Sequence, residues 1–398
     1  MVKNSCFVGL ELSSESVKAV TGFLLNDAIC VLDMVEEKCD GLERGLIKNV
    51  DALVNSIRNV INKTSKDLNV VIKEVSLIVP PFGLLCISDT GSTNTIDGND
   101  IIRHVDTTNI LTAMRKRVLA DPDLKIVDIV PDTFIIDNNE RFDHEPLGKV
   151  SKVLSLHASI YAMNDKVVSQ FESVVNKAGY EVKYKVNAPY ASALYLSTIA
   201  NIPNTYILVD IGESITTISK VHNKTSIIHS KMIKFGGRNI TQEIAEQFNI
   251  DYNDAERLKR IYGIDYNPNF TAYIHDKIQL DDLADVILNV LKPLLLKVKS
   301  VINEFSIDNN ERLPVVLSGG TSELHNINDI VEDVLETKVV KYSVESIGAR
   351  DKSLISILGS IKYGAIQPVV DEEEIASTTI NRVETNKKSK SYKFDEEL

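Results

Sequence analysis

Two stretches decide the fold: FVGLELSSESVKAV (Phe7–Val20) and YILVDIGESITTIS (Tyr206–Ser219). Each opens on an apolar, β-branched run, reaches a carboxylate, breaks into a short polar turn and resumes as a second apolar run. That is the pattern of two antiparallel strands joined by a tight loop. Laid over one another, the stretches place Glu11 on Asp210 and Leu12 on Ile211. The copies begin roughly 200 residues apart, too long a period for a stacked repeat. Each copy is therefore expected to open a large domain of its own, with a ligand between the two, and 398 residues leave room for both cores.

A tight turn aims backbone N–H groups at an anion, and a carboxylate just before it can hold Mg²⁺, mostly through water. Glu11 and Asp210 are the carboxylates in position, Ser13, Ser14 and Ser16 carry hydroxyls, and Lys18 either reaches a phosphate oxygen or only solvates its strand. Either hairpin alone reads as an ordinary surface hairpin. A third element, VVLSGGTSELHNI (Val315–Ile327), runs a buried strand into Ser318, Gly319 and Gly320 and then into a helix. Two glycines let the backbone approach a flat or charged group, and a helix start behind them favours phosphate. A fourth, KFGGRNITQEIAEQFNIDYNDAERLKRIYG, turns at Gly236 and Gly237 and places Thr241 near a first helical turn. Its second helix is expected to start at Asn253 or Asp254 and stop at Gly263. Glu256 and Lys259 share a face there, either to hold a nucleoside or as a surface ion pair.

Around these elements, apolar strand-like runs alternate with helical patterns at Val50–Thr64, Val167–Ala178, Ala188–Ile199, Ile240–Phe248 and Leu280–Phe305, an α/β texture. Between Pro80 and about Met163 the texture changes to strands with one helix, Ile110–Val118, which reads as a small α+β module inserted in a larger domain. A net charge of −12 argues against a general nucleic-acid binder, because phosphate backbones are held by clustered Lys and Arg. Cys6, Cys30, Cys39 and Cys86 show no paired spacing, so reduced thiols in a cytosolic protein are expected. No stretch reaches the roughly 18 uncharged apolar residues of a membrane span. After Gln367 the chain turns charged and poor in apolar residues, and disorder is expected there.

In this order the four elements resemble the actin-like ATPases, and more closely the bacterial cell-division protein family FtsA. The resemblance is carried by GLELSSESVKAV, RGLIKNVDALVNSIRNVI, the module IVDIVPDTFIIDNNERFDHEPLGKVSKVLSLHASIY, NAPYASALYL, GGRNITQEIA, DAERLKRIYG and LSGGTSEL, up to about Gln367. It implies an α/β, two-lobed actin-like fold with duplicated domains plus a small α+β inserted subdomain of FtsA type. Residues 1–80, 164–203 and 345–366 would form the first lobe, 81–163 the insert, 204–344 the second lobe, and 367–398 a tail. It further implies ATP with Mg²⁺ in the cleft. Glu11 and Asp210 would face the metal. Ser13, Ser14, Lys18 and Gly212 would lie by the phosphates, and Glu256, Lys259, Gly319 and Gly320 by the nucleoside. Actin-like filaments, capture of the C-terminal tail of FtsZ, and recruitment from the cytoplasm to the inner face of the membrane at the division site follow from the same resemblance. The family's FtsZ-binding surface lies around 236–282, where Arg238, Arg257, Arg260 and Lys277 are either contacts for an acidic tail or plain surface charges.

The chain departs from that pattern in both phosphate loops. The family's usual Asp-Ile-Gly openings become Glu11-Leu12-Ser13, with Glu15 close behind, and Asp210-Ile211-Gly212, with Glu213 and Ser214 where glycines are usual. Two like charges 4 Å apart repel by about 4 kcal/mol at an effective dielectric near 20, so Glu213 aimed at phosphates would weaken them, and side chains would sit where φ > 0 is wanted. NAPYAS puts Ala188 where a water-orienting polar group is expected, which argues for little or no hydrolysis. The tail KKSKSYKFDEEL has no apolar stripe for a membrane-surface helix, so anchoring is expected to need a partner or filament avidity. The rivals are an actin-fold assembly factor such as the pilus protein PilM, and an actin-fold kinase or chaperone ATPase. A kinase would want an aspartate base that no motif supplies, and a chaperone a further domain after the fold.

Overall fold

A computed structural model describes residues 6–367 apart from 40, 44, 119–122, 138, 266–272, 276 and 306–311. The expected disordered tail, 367–398, lies outside the described residues but for Gln367. Along the chain come β1 (Phe7–Leu12), β2 (Ser16–Leu25), β3 (Ala28–Lys38), β4 (Leu42–Glu43), β5 (Leu46–Ile47), α1 (Val50–Leu68) and β6 (Glu74–Val79). Next are β7 (Leu85–Asn94), α2 (His104–Val118), β8 (Leu124–Ile136), β9 (Arg141–Phe142), β10 (Val153–Asn164), α3 (Asp165–Ala178), β11 (Glu181–Asn187) and α4 (Ala188–Leu196). The second half holds β12 (Tyr206–Ile211), β13 (Thr216–His222), β14 (Ser226–Ile233), α5 (Gly237–Phe248), α6 (Tyr252–Tyr262), β15 (Tyr273–His275) and β16 (Ile278–Gln279). It ends with α7 (Leu280–Phe305), β17 (Val315–Ser318), α8 (Ile327–Leu335) and α9 (Ile355–Ile366).

Packing divides these elements into two compact units. The larger takes residues 6–89, 118–132 and 157–367, and the smaller 90–117 and 133–156. The larger contains the duplication. In its first sheet, β1 is antiparallel to β2 and parallel to β6, β2 is antiparallel to β3, and β11 adds to β6 in parallel. In its second sheet, β12 is antiparallel to β13 and parallel to β17, and β13 is antiparallel to β14. Even the fifth position has an echo, since Val339 bridges Val315 in parallel on the side away from β12. Two apolar cores follow, one around Leu10, Leu53, Ile57, Leu77 and Phe171, the other around Ile207, Val209, Ile240, Leu291 and Val315. Helices α4 and α9 are buried on nearly every side, which explains sequences apolar all round rather than amphipathic.

In the smaller unit β9 pairs antiparallel with β8 through Phe134 and Phe142, and Ile110 and Met114 of α2 are fully buried. The α2 helix begins six residues before the expected Ile110. Buried Asp106 accepts hydrogen bonds from the amides of Ile96 (3.1 Å) and Arg103 (2.9 Å), which fixes a start that the apolar spacing does not show. Two other expectations change. The cap of α6 is Asp251, whose carboxylate accepts from the Asn253 (2.7 Å) and Asp254 (3.1 Å) amides, not Asn253 or Asp254. After Gly319 the chain makes only a four-residue 3₁₀ turn, Gly320–Glu323, before α8. Too few peptide dipoles align there to offer a phosphate the potential of a full helix start.

Candidate functional site

The site begins with the two hairpins, which close alike. In both, four residues separate the last paired positions, Leu12↔Val17 and Ile211↔Thr216. The Ser13 amide donates to the Ser16 carbonyl at 2.9 Å, and the Gly212 amide to the Ile215 carbonyl at 2.9 Å. Glu11 and Asp210 are the fifth residues of their six-residue strands, so the strand alternation brings both to the same side of matching loops. Around them lies a cleft of about 650 Å³ within the larger unit. Glu11, Ser13, Ser14, Lys18, Asp210, Gly212, Glu256, Lys259, Gly319 and Gly320 all line it.

Burial works against the charge of both carboxylates. Burial pushes the Glu11 carboxyl above its usual range, against the pull of Lys18 and of the Ser356 hydroxyl, which donates to Oε1 at 2.7 Å. Burial likewise raises Asp210 from 3.8 to about 6, helped by the negative charge of Glu11 and opposed by Ser318 and Lys18. The Ser318 hydroxyl donates to Asp210 Oδ2 at 2.9 Å. Lys18, cross-strand from Glu11, lies 3.6 Å from Glu36 Oε1. A pair of desolvated carboxylates that each favour a proton is a pair that a cation would relieve. Among the described residues no cluster of three or more His, Cys, Asp or Glu is present. Two carboxylates suit Mg²⁺, which keeps several waters and takes the rest of its shell from phosphates. The donor set fits that ion.

Both departures in the loops have partners. Glu213 Oε1 accepts from Arg238 Nε at 2.5 Å and Oε2 from the Ser214 hydroxyl at 2.7 Å, so its charge is countered. Glu15 Oε1 lies 3.2 Å from Arg260 Nη2. Nor is the backbone strained: among the described residues, none of Ser13, Ser14, Glu15, Gly212, Glu213, Ser214 or Ile215 has a positive φ. The expectation that side chains here occupy left-handed positions is corrected. The position that does require glycine is Gly319, at φ +84, where a Cβ would stand 2.6 Å from the Ile211 carbonyl oxygen.

Some expected ligands are already engaged. The Ser13 hydroxyl donates to the Ser16 carbonyl (2.9 Å) and accepts from the Ser16 amide (3.1 Å), closing its own turn. Buried Lys259 meets the Gly237 carbonyl (3.1 Å), the Thr241 hydroxyl (2.8 Å) and Glu256 Oε2 (2.6 Å), using all three of its protons. Glu256 and Lys259 are therefore not a plain surface pair. Burial raises Glu256, but Lys259, Thr241 and Arg260 outweigh it and hold the carboxyl below its usual range. Of the four basic residues expected to meet an acidic tail, Arg238 and Arg260 are engaged at this cleft, while Arg257 pairs with Asp254 on its own helix at 3.0 Å. At the start of α4 the Asn187 carboxamide caps its own helix, accepting from the Tyr190 amide at 2.9 Å, and Ala188 and Pro189 present no polar side chain to the cleft. Sequence reading missed Ser356 as the hydroxyl beneath Glu11, since nothing in ISILGS marks it out from a buried helix start.

The family model "Cell division protein FtsA" matches residues 207–359. The cell division protein FtsA of Enterococcus faecalis is 27% identical over 92% of this chain and 84% of its own length. That of Enterococcus hirae is 24% identical over 100% of this chain and 94% of its own, and that of Bacillus subtilis 22% over 91% and 84%. Among solved structures, a chain of the PilM–PilN type IV pilus biogenesis complex superposes with a TM-score of 0.64 at 17% identity, over 91% of this chain and 99% of that one. The ethanolamine utilization protein EutJ from Carboxydothermus hydrogenoformans gives 0.53 at 15% identity, over 90% and 91%. The fold is the actin-like one, and the resemblance in sequence is to FtsA along most of the chain.

Proposed function

We propose that this chain is an FtsA-like cell-division scaffold. It binds ATP with Mg²⁺, assembles into actin-like protofilaments, and links the C-terminal tail of FtsZ to the division site at the inner face of the membrane. The observation that carries the reading is the pair of matched hairpins whose carboxylates, Glu11 and Asp210, line one cleft with Gly319 and Gly320. In it Glu11 and Asp210 would hold the metal, Lys18 and the turn around Ser14 and Gly212 would face the phosphates, and Gly319 and Gly320 would leave room for the nucleoside against the backbone. When bound, Mg²⁺ neutralises phosphate charge that these acid-rich loops would otherwise repel.

Hydrolysis is weak or absent, because Ala188 and Pro189 leave the cleft without a side chain to orient water at the start of α4. Nucleotide then serves assembly rather than turnover. For the FtsZ tail, exposed Lys277 is the first candidate, with Arg257 in an exposed pair with Asp254 on its own helix and Arg238 and Arg260 held at the cleft. Among the described residues no helix is long and apolar enough to cross a membrane. The test is calorimetry with ATP and Mg²⁺, phosphate release followed in the same sample, and electron microscopy on lipid with nucleotide and the FtsZ tail peptide. Micromolar binding, little release and protofilaments are expected. Brisk turnover would overturn the scaffold reading, and no binding would reduce the fold to a protein-binding platform.

A further inference from the structure

Glu256 faces the cleft with most of its accepting capacity already used. A carboxylate offers about four acceptor sites, two on each oxygen. Oε2 receives Lys259 Nζ at 2.6 Å and the Thr241 hydroxyl at 2.5 Å. That hydroxyl is 3.1 Å from the Gly237 carbonyl, so the nearer, charged oxygen is its acceptor. Oε1 receives Arg260 Nε at 2.6 Å, and one site on Oε1 remains. Arg260 reaches onward with Nη2 to Glu15 Oε1 at 3.2 Å, in the turn of the first hairpin. Buried Lys259 and Thr241 hold Oε2, and exposed Arg260 holds Oε1. Without Arg260 the carboxylate would be free to present both Oε1 sites.

We propose that Arg260 is a positioning residue that leaves Glu256 a single acceptor site, so that the cleft reads one ribose hydroxyl of a bound nucleoside triphosphate and not both. The inference rests on the nucleotide-binding reading above and goes beyond it, since it predicts which sugar the site accepts. A two-site carboxylate would take the 2′ and 3′ hydroxyls together. A carboxylate with one site left must choose, and the hydroxyl it does not read contributes little. The Arg260 side chain is 62% exposed, so its removal leaves the cores untouched and separates positioning from folding.

The experiment measures binding of ATP, 2′-deoxy-ATP and 3′-deoxy-ATP with Mg²⁺ to the full chain and to its Arg260→Ala and Arg260→Lys variants, with melting temperatures alongside. In the parent chain one deoxy analogue should bind about tenfold more weakly, the loss of one hydrogen bond to a charged group, and the other within about twofold of ATP. Arg260→Ala should bring the two deoxy analogues to within about threefold of each other at an unchanged melting temperature. Arg260→Lys, which keeps a donor, should restore part of the difference. Equal losses for both analogues, no loss for either, or full discrimination in Arg260→Ala would overturn the proposal while leaving nucleotide binding intact. Loss of all ATP binding in Arg260→Ala would make the guanidinium a direct ligand and overturn it too. A parent chain that binds no ATP would overturn both readings together.

Discussion

Glu213 and Arg238 show how a loop that lacks its usual glycines can still face an anion. The acid alone would repel a phosphate by up to about 4 kcal/mol at 4 Å, but Arg238 Nε sits 2.5 Å away and cancels most of that field. Removing the arginine should therefore hurt more than removing both partners. Arg238→Ala is expected to weaken ATP by one to two orders of magnitude, and Glu213→Gly combined with Arg238→Ala to recover most of it, as read by calorimetry. A double variant no better than the single one would sink this account. Asp210 supports a prediction with a definite sign. Its carboxyl titrates near 3.8 when unfolded and at about 6 when folded, so the native state binds more protons between those values. Its contribution to stability is full below about 3.8, is lost as pH rises through 6, and stays lost above. The full shift corresponds to about 3 kcal/mol, and less after allowance for water reaching a residue on the cleft wall. Asp210→Asn should thus melt a few degrees higher than the parent at pH 8 and no higher at pH 4, while losing Mg²⁺-dependent nucleotide binding. Equal gains at both pH values would refute it. The repeated hairpin made Glu11 and Asp210 legible, because matched strands carry matched carboxylates, and the resemblance in the order of the motifs pointed to the other eight residues expected at the cleft. Salt bridges such as Glu15–Arg260, 245 residues apart, were not legible, since nothing local in a sequence says which distant arginine a loop acid will meet.

At the scale of elements, the strands were legible, as were the starts of α1, α4 and α7, and those of α2 and α6 less so. The β1–β2 and β12–β13 hairpins follow from alternation around a polar turn, and their equal loop lengths could be counted from the sequence. The α2 start depends on Asp106 folding back onto the amides of Ile96 and Arg103, a contact that apolar periodicity does not encode. Helix α9 raises a different question, because local preference and packing disagree. In the middle of a helix, Ala is better than Gly by about 1 kcal/mol. Yet a Cβ on Gly359 would lie 1.7 Å from the Ala191 carbonyl oxygen of α4, far inside contact distance, and the obstacle is backbone that cannot rotate aside. Packing must win. Gly359→Ala is expected to lower stability by about 3 kcal/mol or more in denaturant unfolding, with α4 and α9 forced apart. A neutral or stabilising result would mean that the two helices are not held as closely as described. The consequence reaches function, because α4 opens at the cleft wall with Ala188 and Pro189, and α9 supplies Ser356 to Glu11.

Taken whole, the larger unit builds its cleft from parts distant in sequence: the first hairpin, the second hairpin, the start of α5, one face of α6 (Glu256, Lys259 and Arg260), and the Gly319–Gly320 turn. Each part is held by its own sheet or helix: Ser356 of α9 donates to Glu11 and Ser318 of β17 to Asp210 on the neighbouring strand, while Arg260 to Glu15 links α6 to the turn of the first hairpin. The exposed link, with Arg260 at 62% and Glu15 at 37%, is the kind that contributes at most about 1 kcal/mol, so by itself it does not lock the cleft. A ligand that touches all the parts at once would bind them together, and its binding energy would add to the stability of each. Hydrogen exchange on the full chain offers a direct reading. With ATP and Mg²⁺, protection should rise together at Leu12–Ser16, Ile211–Ile215 and Gly319–Glu323, and the smaller unit, residues 90–117 and 133–156, should exchange as before. Protection confined to one hairpin would mean that the matched carboxylates do not share a ligand. A rise spread evenly over both units would mean a general stabilisation rather than a bound cleft. Joint protection of three segments that lie far apart in the chain is the outcome that a duplicated fold with one shared site requires.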